Sequence, residues 1–308
     1  MSRSERRNRS NEDASTRTLR DEEDAGTPAA DESGPPSRAH SLWEQAGTMV
    51  LAIAIALSIR AFVIEPFRIP SGSMLPTLLI GDHLFVNKFL YGVKVPLTDW
   101  RLPAIRGPER GDVVVFTVAR NGQKIIPADR RPDLPQDDFV KRVVGLPGDT
   151  IEVRDGRVFV NGAEVPRYDT GEIFDGERGS HLIVQREVLG ECQHAVLDDP
   201  ISAGIQRARF QVEEGRYFMM GDNRDHSNDS RSWGTVRLEE MKGPAFILYW
   251  SWDVNGNFLS FLNPINWFTA EKRWSRVFQR VRCETPSSMQ SRAEGDPATT
   301  GSLAGAPD

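Results

Sequence analysis

Residues 150–161 read TIEVRDGRVFVN, and this stretch decides the fold class. Two short β-prone runs, residues 150–154 and 157–161, flank Asp155 and Gly156, a two-residue turn whose backbone suits the twist of paired strands. The reading is a β-hairpin. Outward from it, residues 112–118 (DVVVFTV), 216–220 (RYFMM) and 245–252 (AFILYWSW) add further short strands. Helical spacing is poor beyond Glu65, apart from a short piece near 270–281. The expected body is mostly β: an antiparallel β-sheet domain with long excursions at about 119–137 and 167–207. The second is long enough to be an inserted smaller β subdomain. No internal repeat is visible.

Upstream of the strands, residues 46–59 read AGTMVLAIAIALSI, without a charge. Continued through Arg60 to Ile64, this approaches the length of a helix that crosses the hydrocarbon core. Trp43 stands where an interfacial aromatic would sit, and Arg60 can snorkel. A buried helix of a soluble core is the alternative, but apolarity on all faces weighs against it. A cleaved leader fits less well, because the preceding tail is long and acidic and no small-x-small site precedes the folded part. The expectation is one uncleaved transmembrane helix over 43–64. Arg38 and Arg60 flank its two ends, so charge alone does not orient it. A second apolar stretch, Phe258–Phe268, contains Asn263, Pro264 and Asn266 and is too short and broken to span. With Trp267 and Trp274 it could rest on a bilayer surface or pack in the core.

The chain has 308 residues and is 39% hydrophobic, but that average hides two polar ends. Residues 1–42 carry 7 Arg against 9 Asp plus Glu, with Leu19 and Leu42 almost the only large apolar side chains. Residues 284–308 carry 1 Arg against 4 acidic residues, among Ser, Ala, Gly, Thr and Pro. Neither end buries enough surface to offset the entropy of ordering, so both are expected to be disordered. Most of the formal charge of −6 resides there, which leaves 65–283 a near-neutral domain without a basic stripe. Nucleic acid is therefore not an expected partner. Cys192 and Cys283 match no metal spacing; a disulfide and two separate buried thiols both remain open.

Three segments carry candidate chemistry. Residues 66–78 read PFRIPSGSMLPTL. Pro66, Pro70 and Pro76 keep the chain extended, and Gly72 allows a tight bend between Ser71 and Ser73. Such a turn can present a hydroxyl beside backbone N–H groups, although Ser-Gly-Ser alone is more often a plain loop. Residues 138–149 read DFVKRVVGLPGD and place Lys141 inside an apolar strand. Pointing outward, it is an edge lysine that discourages strand association. Pointing inward, desolvation lowers its pKa, and a neutral amine beside a serine is a base for acyl transfer. Residues 221–234, GDNRDHSNDSRSWG, read locally as an ordered polar loop and lack the calcium-loop spacing.

Together the segments PSGSMLPT (70–77), GDVVVF (111–116), KRVVGLPGD (141–149) and GDNRDHSNDSR (221–231) resemble the type I signal peptidase family, in order and spacing. The resemblance runs from about Ala61 to Trp252 and leaves out the tails and excursions. It implies a membrane-bound serine endopeptidase that removes signal peptides from secreted preproteins after Ala-x-Ala. In it Ser73 looks like the nucleophile and Lys141 its general base. The Ser73 N–H and the Ser71 hydroxyl would form the oxyanion hole, and Ser227 would hydrogen-bond and orient Lys141. Asp229 and Arg231 look like a structural pair bracing the third loop. Phe67, Ile69, Pro70, Met74, Leu78, Phe139 and Val140 match the lining of shallow pockets for small side chains.

The resemblance implies no metal and no cofactor, and none of the five histidines is needed; His226 reads as a loop residue. It also implies a bacterial plasma-membrane protein, single-pass, with its N-terminus cytoplasmic and its catalytic domain outside. Signal peptides and the lipid bilayer are the expected partners, and a monomer the expected working unit. Ser73 follows the anchor closely, so the cleft is expected near the bilayer surface, where a signal peptide emerges. Two other readings share part of the pattern. A pilus or conjugation maturation peptidase would cleave its own precursor better than an Ala-x-Ala peptide, and an inactive preprotein-binding scaffold would bind without turnover.

Overall fold

The computed structural model describes residues 38–92, 100, 102–176, 179–202, 204–252 and 272–284. By its internal contacts the chain divides into two units, Met1–Ile55 and Ala56–Asp308, and the second holds every strand.

Helix α1 runs over Arg38–Phe62. Its part Gln45–Phe62 has 18 residues, long and apolar enough to cross a membrane. At about 1.5 Å per residue it reaches about 27 Å. Met49, Val50, Leu51, Ile53, Ile55 and Leu57 are all exposed. The helix expected over 43–64 starts earlier and stops sooner, and residues 38–42, expected to be disordered tail, are helical. Val63 still donates back to the Ile59 carbonyl, but Ile64 opens strand β1 (Ile64–Arg68), which pairs antiparallel with β2 (Asp82–Asn87). The tails outside 38–284 and the stretch Phe258–Phe268 with Trp267 lie outside the described residues; Trp274 is exposed.

The main sheet has eight strands in the order β1-β2-β15-β3-β5-β13-β14, with β4 on β3. Here β3 is Val113–Asn121, β4 Lys124–Pro127, β5 Gln136–Gly145, β13 Arg216–Met220, β14 Val236–Arg237 and β15 Met241–Ser251. All the pairings are antiparallel. The excursion expected at 119–137 is largely an extension of this sheet, since β3 continues to Asn121 and turns back as β4. Strand β3 shows why the sheet is buried on both faces. Val114, Phe116 and Val118 join one apolar cluster, with Val143 and Met219. Val113 and Val115 join another, with Ile69, Met74, Leu78, Leu84 and Val86. At about 1.5–3 kcal/mol per buried large apolar side chain, these clusters are the main support of the fold.

The hairpin that opened the reading is β6 (Thr150–Arg154) and β7 (Arg157–Val160). Asp155 and Gly156 both take positive φ, 48° and 72°, the backbone that a two-residue turn of this hand requires. With β8 (Ala163–Glu164) and β12 (Arg207–Gln211) it forms a four-stranded sheet. Between β8 and β12 stands a third sheet of three strands, β9 (Arg167–Asp175), β10 (His181–Leu189) and β11 (Cys192–Asp198). It is the expected insertion, but it ends at Asp198, and Arg207 already belongs to the returning strand.

Two expectations about the C-terminal part are corrected. The helical spacing near 270–281 gives no α-helix among the described residues. A short 3-10 turn, Trp274–Arg276, leads instead into a segment bonded along β15, with Leu248 donating to the Gln279 carbonyl and Val281 to that of Phe246. Glu284, assigned to the tail, bridges to Gln193. This segment brings Cys283 to Cys192, and the two form a disulfide.

Candidate active site

Ser73 sits in a single 3-10 turn, Gly72–Met74, between β1 and β2. Ser71 precedes it with extended backbone and an exposed side chain. Met74 and Leu78 anchor the turn in the second apolar cluster, so the hydroxyl-bearing residue is held by buried neighbours.

Strand β5 delivers the amine. Lys141 lies opposite Val114 of β3 and is 3% exposed, because the sheet is covered on both faces. Its Nζ is 2.6 Å from Ser73 Oγ and donates to the Val140 carbonyl at 3.0 Å. The Phe139 ring centroid is 5.4 Å from Nζ. Burial lowers the Lys141 pKa from 10.5 to about 8, partly opposed by the charges of Asp229 and Asp222. A neutral amine is therefore within reach near neutral pH, in contact with a serine hydroxyl, and that pair can perform nucleophilic acyl transfer without a metal.

The third segment wraps this pair. Gly221 has no room for a side chain: a Cβ there would lie 2.4 Å from the Ser73 carbonyl oxygen and 2.3 Å from Ser227 Oγ. Asp229 caps the one-turn helix α2 (Ser230–Trp233) and accepts from the Gly221 N–H at 3.0 Å. Arg231 donates to both Asp229 oxygens at 2.8 Å and to the Arg224 carbonyl at 2.6 Å, all buried. His226 stands at the surface against Asp199.

Ser227 departs from the expected geometry. It is buried, but its hydroxyl has no hydrogen-bond partner among the described residues, because Lys141 is turned to Ser73 and Val140. The residues expected to line pockets also divide. Ile69, Met74 and Leu78 are 2%, 0% and 0% exposed and belong to the core. Phe67, Pro70, Phe139 and Val140 keep accessible surface. Apolar character marks both groups alike, so the sequence does not separate the floor of a cleft from its wall.

Several buried charges received no role in the sequence. Arg142, the neighbour of Lys141, makes a bidentate pair with Asp222 at 2.8 and 2.6 Å and donates to the Gly111 carbonyl at 2.7 Å. Burial pushes the Asp222 carboxyl up, but the Arg142 guanidinium and Thr77 hydroxyl outweigh it and the net direction is down. His194 is also buried, and burial with the charge of Arg142 pulls its pKa to about 3, so it is neutral. Asp222 and Arg142 stand inside the recognised segments, where their motif positions were a usable signal. His194 lies in the insertion and had none. Among the described residues no cluster of His, Cys, Asp or Glu could hold a metal ion.

Among the described residues, one flank of β5 is open. Residues 136–141 pair with β3 on one side, β13 pairs only from Arg142 onward, and β1 pairs with β2 alone among the described residues. An extended peptide can add to such edges by main-chain hydrogen bonds.

A family model described as signal peptidase, peptidase S26, matches residues 42–250. Signal peptidase I of Pseudomonas aeruginosa is 41% identical over 210 residues, covering 64% of this chain and 69% of that protein. Signal peptidase I of Rickettsia typhi is 33% identical over 261 residues, covering 77% and 93%. A crystal structure of a signal peptidase I from Enterococcus faecalis aligns with TM-score 0.26 and 24% identity, over 45% of this chain and 97% of that one. That structural overlap is too small to inform the fold.

Proposed function

Because this chain belongs to the signal peptidase family, peptidase S26, we propose that it removes signal peptides from preproteins, with Ser73 as nucleophile and Lys141 as general base. The chain is a serine endopeptidase. The observation that carries the residue assignment is the contact of a buried, pKa-lowered Lys141 amine with the Ser73 hydroxyl at 2.6 Å.

In the first half-reaction the neutral Lys141 amine takes the Ser73 hydroxyl proton as Oγ attacks the scissile carbonyl carbon. The oxyanion that forms is received by the Ser73 N–H and the Ser71 hydroxyl. Collapse breaks the C–N bond, and the Lys141 ammonium returns its proton to the leaving amine, leaving an ester on Ser73. In the second half, Lys141 takes a proton from water, the hydroxide oxygen attacks the ester, and Ser73 leaves with that proton. Ser227, with its unpaired buried hydroxyl, is the group assigned to hold the amine once the proton has moved. Asp229 and Arg231 brace the loop that carries Ser227.

The substrate is an extended segment laid along the open flank of β5, with small side chains against Phe67, Pro70, Phe139 and Val140. Ile69, Met74 and Leu78 support this surface from below. The helix α1 spans the plasma membrane through Gln45–Phe62, with the N-terminal side in the cytoplasm and the catalytic unit outside. A disulfide in that unit fits an oxidising compartment and supports this orientation. Nucleophile and base come from one chain, which supports a monomer as the working unit.

The test is processing of a preprotein in detergent or liposomes by wild type, Ser73→Ala and Lys141→Met across pH. Loss of cleavage in both variants, with a wild-type rate that rises through pH ~8, is the expected result. Full activity in either variant would overturn the assignment.

A further inference from the structure

The turn that bears Ser73 has a neighbour with no part in the steps above: the three-stranded sheet β9–β11. It meets the turn in two ways. On its apolar side Leu182, Val184 and Leu197 form a cluster with Leu75, two residues past Ser73. On its polar side Glu187, 0% exposed, accepts from both terminal nitrogens of Arg224, also buried, one at 2.5 Å.

Arg224 belongs to the third segment, and that segment lies on β11 like a short added strand. The Leu197 N–H donates to the Asp222 carbonyl at 2.9 Å, and the Arg224 N–H to the Leu197 carbonyl at 3.1 Å. From its other side the same segment reaches the nucleophile. The Asn223 N–H donates to the Ser73 carbonyl at 3.2 Å, and its Nδ2 to the Gly72 carbonyl at 3.1 Å. The Gly72 carbonyl and the Ser73 N–H share one planar peptide group, so fixing the first fixes the direction of the second. That N–H is the backbone donor to the oxyanion.

We propose that the inserted sheet is a positioning element for the reaction and that Glu187 is its decisive residue: the Glu187–Arg224 pair fixes residues 221–224, so that Asn223 holds the Gly72–Ser73 peptide and aims the Ser73 N–H. A carboxylate with no solvent is retained at a site only when its partners compensate its desolvation. Here Arg224 and Arg167 do so, with Arg167 Nη2 at 3.2 Å. Burial pushes the Glu187 carboxyl up, yet the Arg224 charge brings it below the ordinary carboxylate range, so the pair stays ionised.

This inference rests on Ser73 being the nucleophile, and the experiment separates the two. The full-length chain in detergent is assayed for kcat and KM on an Ala-x-Ala peptide, with thermal unfolding measured alongside. The variants are Ser73→Ala, Glu187→Gln, Glu187→Asp and the double variant Glu187→Gln/Arg224→Met. Glu187→Gln is expected to lower kcat at least about tenfold with KM nearly unchanged, because the oxyanion donor acts only in the transition state. Glu187→Asp, which keeps the charge, is expected to recover part of kcat. A folded Glu187→Gln with kcat within about twofold of wild type, or a fall in kcat matched only by lost folded protein, would overturn the proposal. If Glu187→Gln fails to fold, the double variant carries neither buried charge and decides by the same criterion; if that also fails, Glu187→Asp decides. Cleavage by Ser73→Ala would instead overturn the nucleophile assignment.

Discussion

Replacing Lys141 by Met removes the proposed base, and it should also stabilise the fold in a pH-dependent way. The amine is 3% exposed and its pKa falls from 10.5 to about 8 as the chain folds around it. At about 1.4 kcal/mol per tenfold change, that difference is worth about 3 kcal/mol against the protonated form. Below pH ~8 the folded protein carries the ammonium in its interior and bears nearly the whole cost. As pH rises from ~8 to ~10.5 the unfolded chain holds more protons than the folded one, and the cost disappears. Met fills a similar volume and does not titrate. The stability of Lys141→Met relative to wild type should therefore drop by about 3 kcal/mol between pH ~7 and pH ~10.5. Urea unfolding of the full-length chain in detergent, followed by tryptophan fluorescence over that range, measures it. A difference that stays constant with pH would mean that the amine is not desolvated, and the account of Lys141 as a base would fail.

Three further outcomes follow from particular contacts. Gly221→Ala puts a methyl group 2.4 Å from the Ser73 carbonyl oxygen, and the forced shift should lower kcat about 100-fold in protein that still folds, as steady-state kinetics would record. Ser71→Ala removes one of the proposed oxyanion donors and should cost about 3–4 kcal/mol of barrier, seen in kcat rather than KM, with an unchanged circular dichroism spectrum. Replacing Cys192 and Cys283 by Ser opens a loop of 91 residues and should lower stability by about 4–5 kcal/mol, a fall in Tm of about 10 °C by calorimetry.

The contact of Ser73 with Lys141 was legible because its parts are local words: a serine in a proline-bounded turn, a lysine in an apolar strand, a polar loop with fixed spacing. What the words could not state was direction. Alternation in β5 allowed Lys141 to face either way, and only the layers on both faces of the sheet decide that it is buried. Glu187 was hidden because β10 is covered on both faces. Leu182 and Val184 enter one apolar cluster, while Glu187 and Leu189 lie on the opposite face, where Leu189 joins another. Alternation assigns Glu187 to the second face but does not say that this face is buried too. The C-terminal spacing misled for a related reason. Trp274, Phe278 and Val281 fall at helical intervals, but backbone bonds to β15 capture the segment first. Ser227 and the buried pocket residues were found as motif positions, and motif positions do not report which hydrogen bond is made or how much surface remains.

The Cys192–Cys283 bond has a consequence in time. Everything between the two cysteines, including the third segment, β13 and β15, is made after the first thiol and before the second. A chain interrupted anywhere in that interval leaves Cys192 without its partner. The closed bond thus requires synthesis through Cys283, and a thiol-reactive dye would tell finished molecules from unfinished ones.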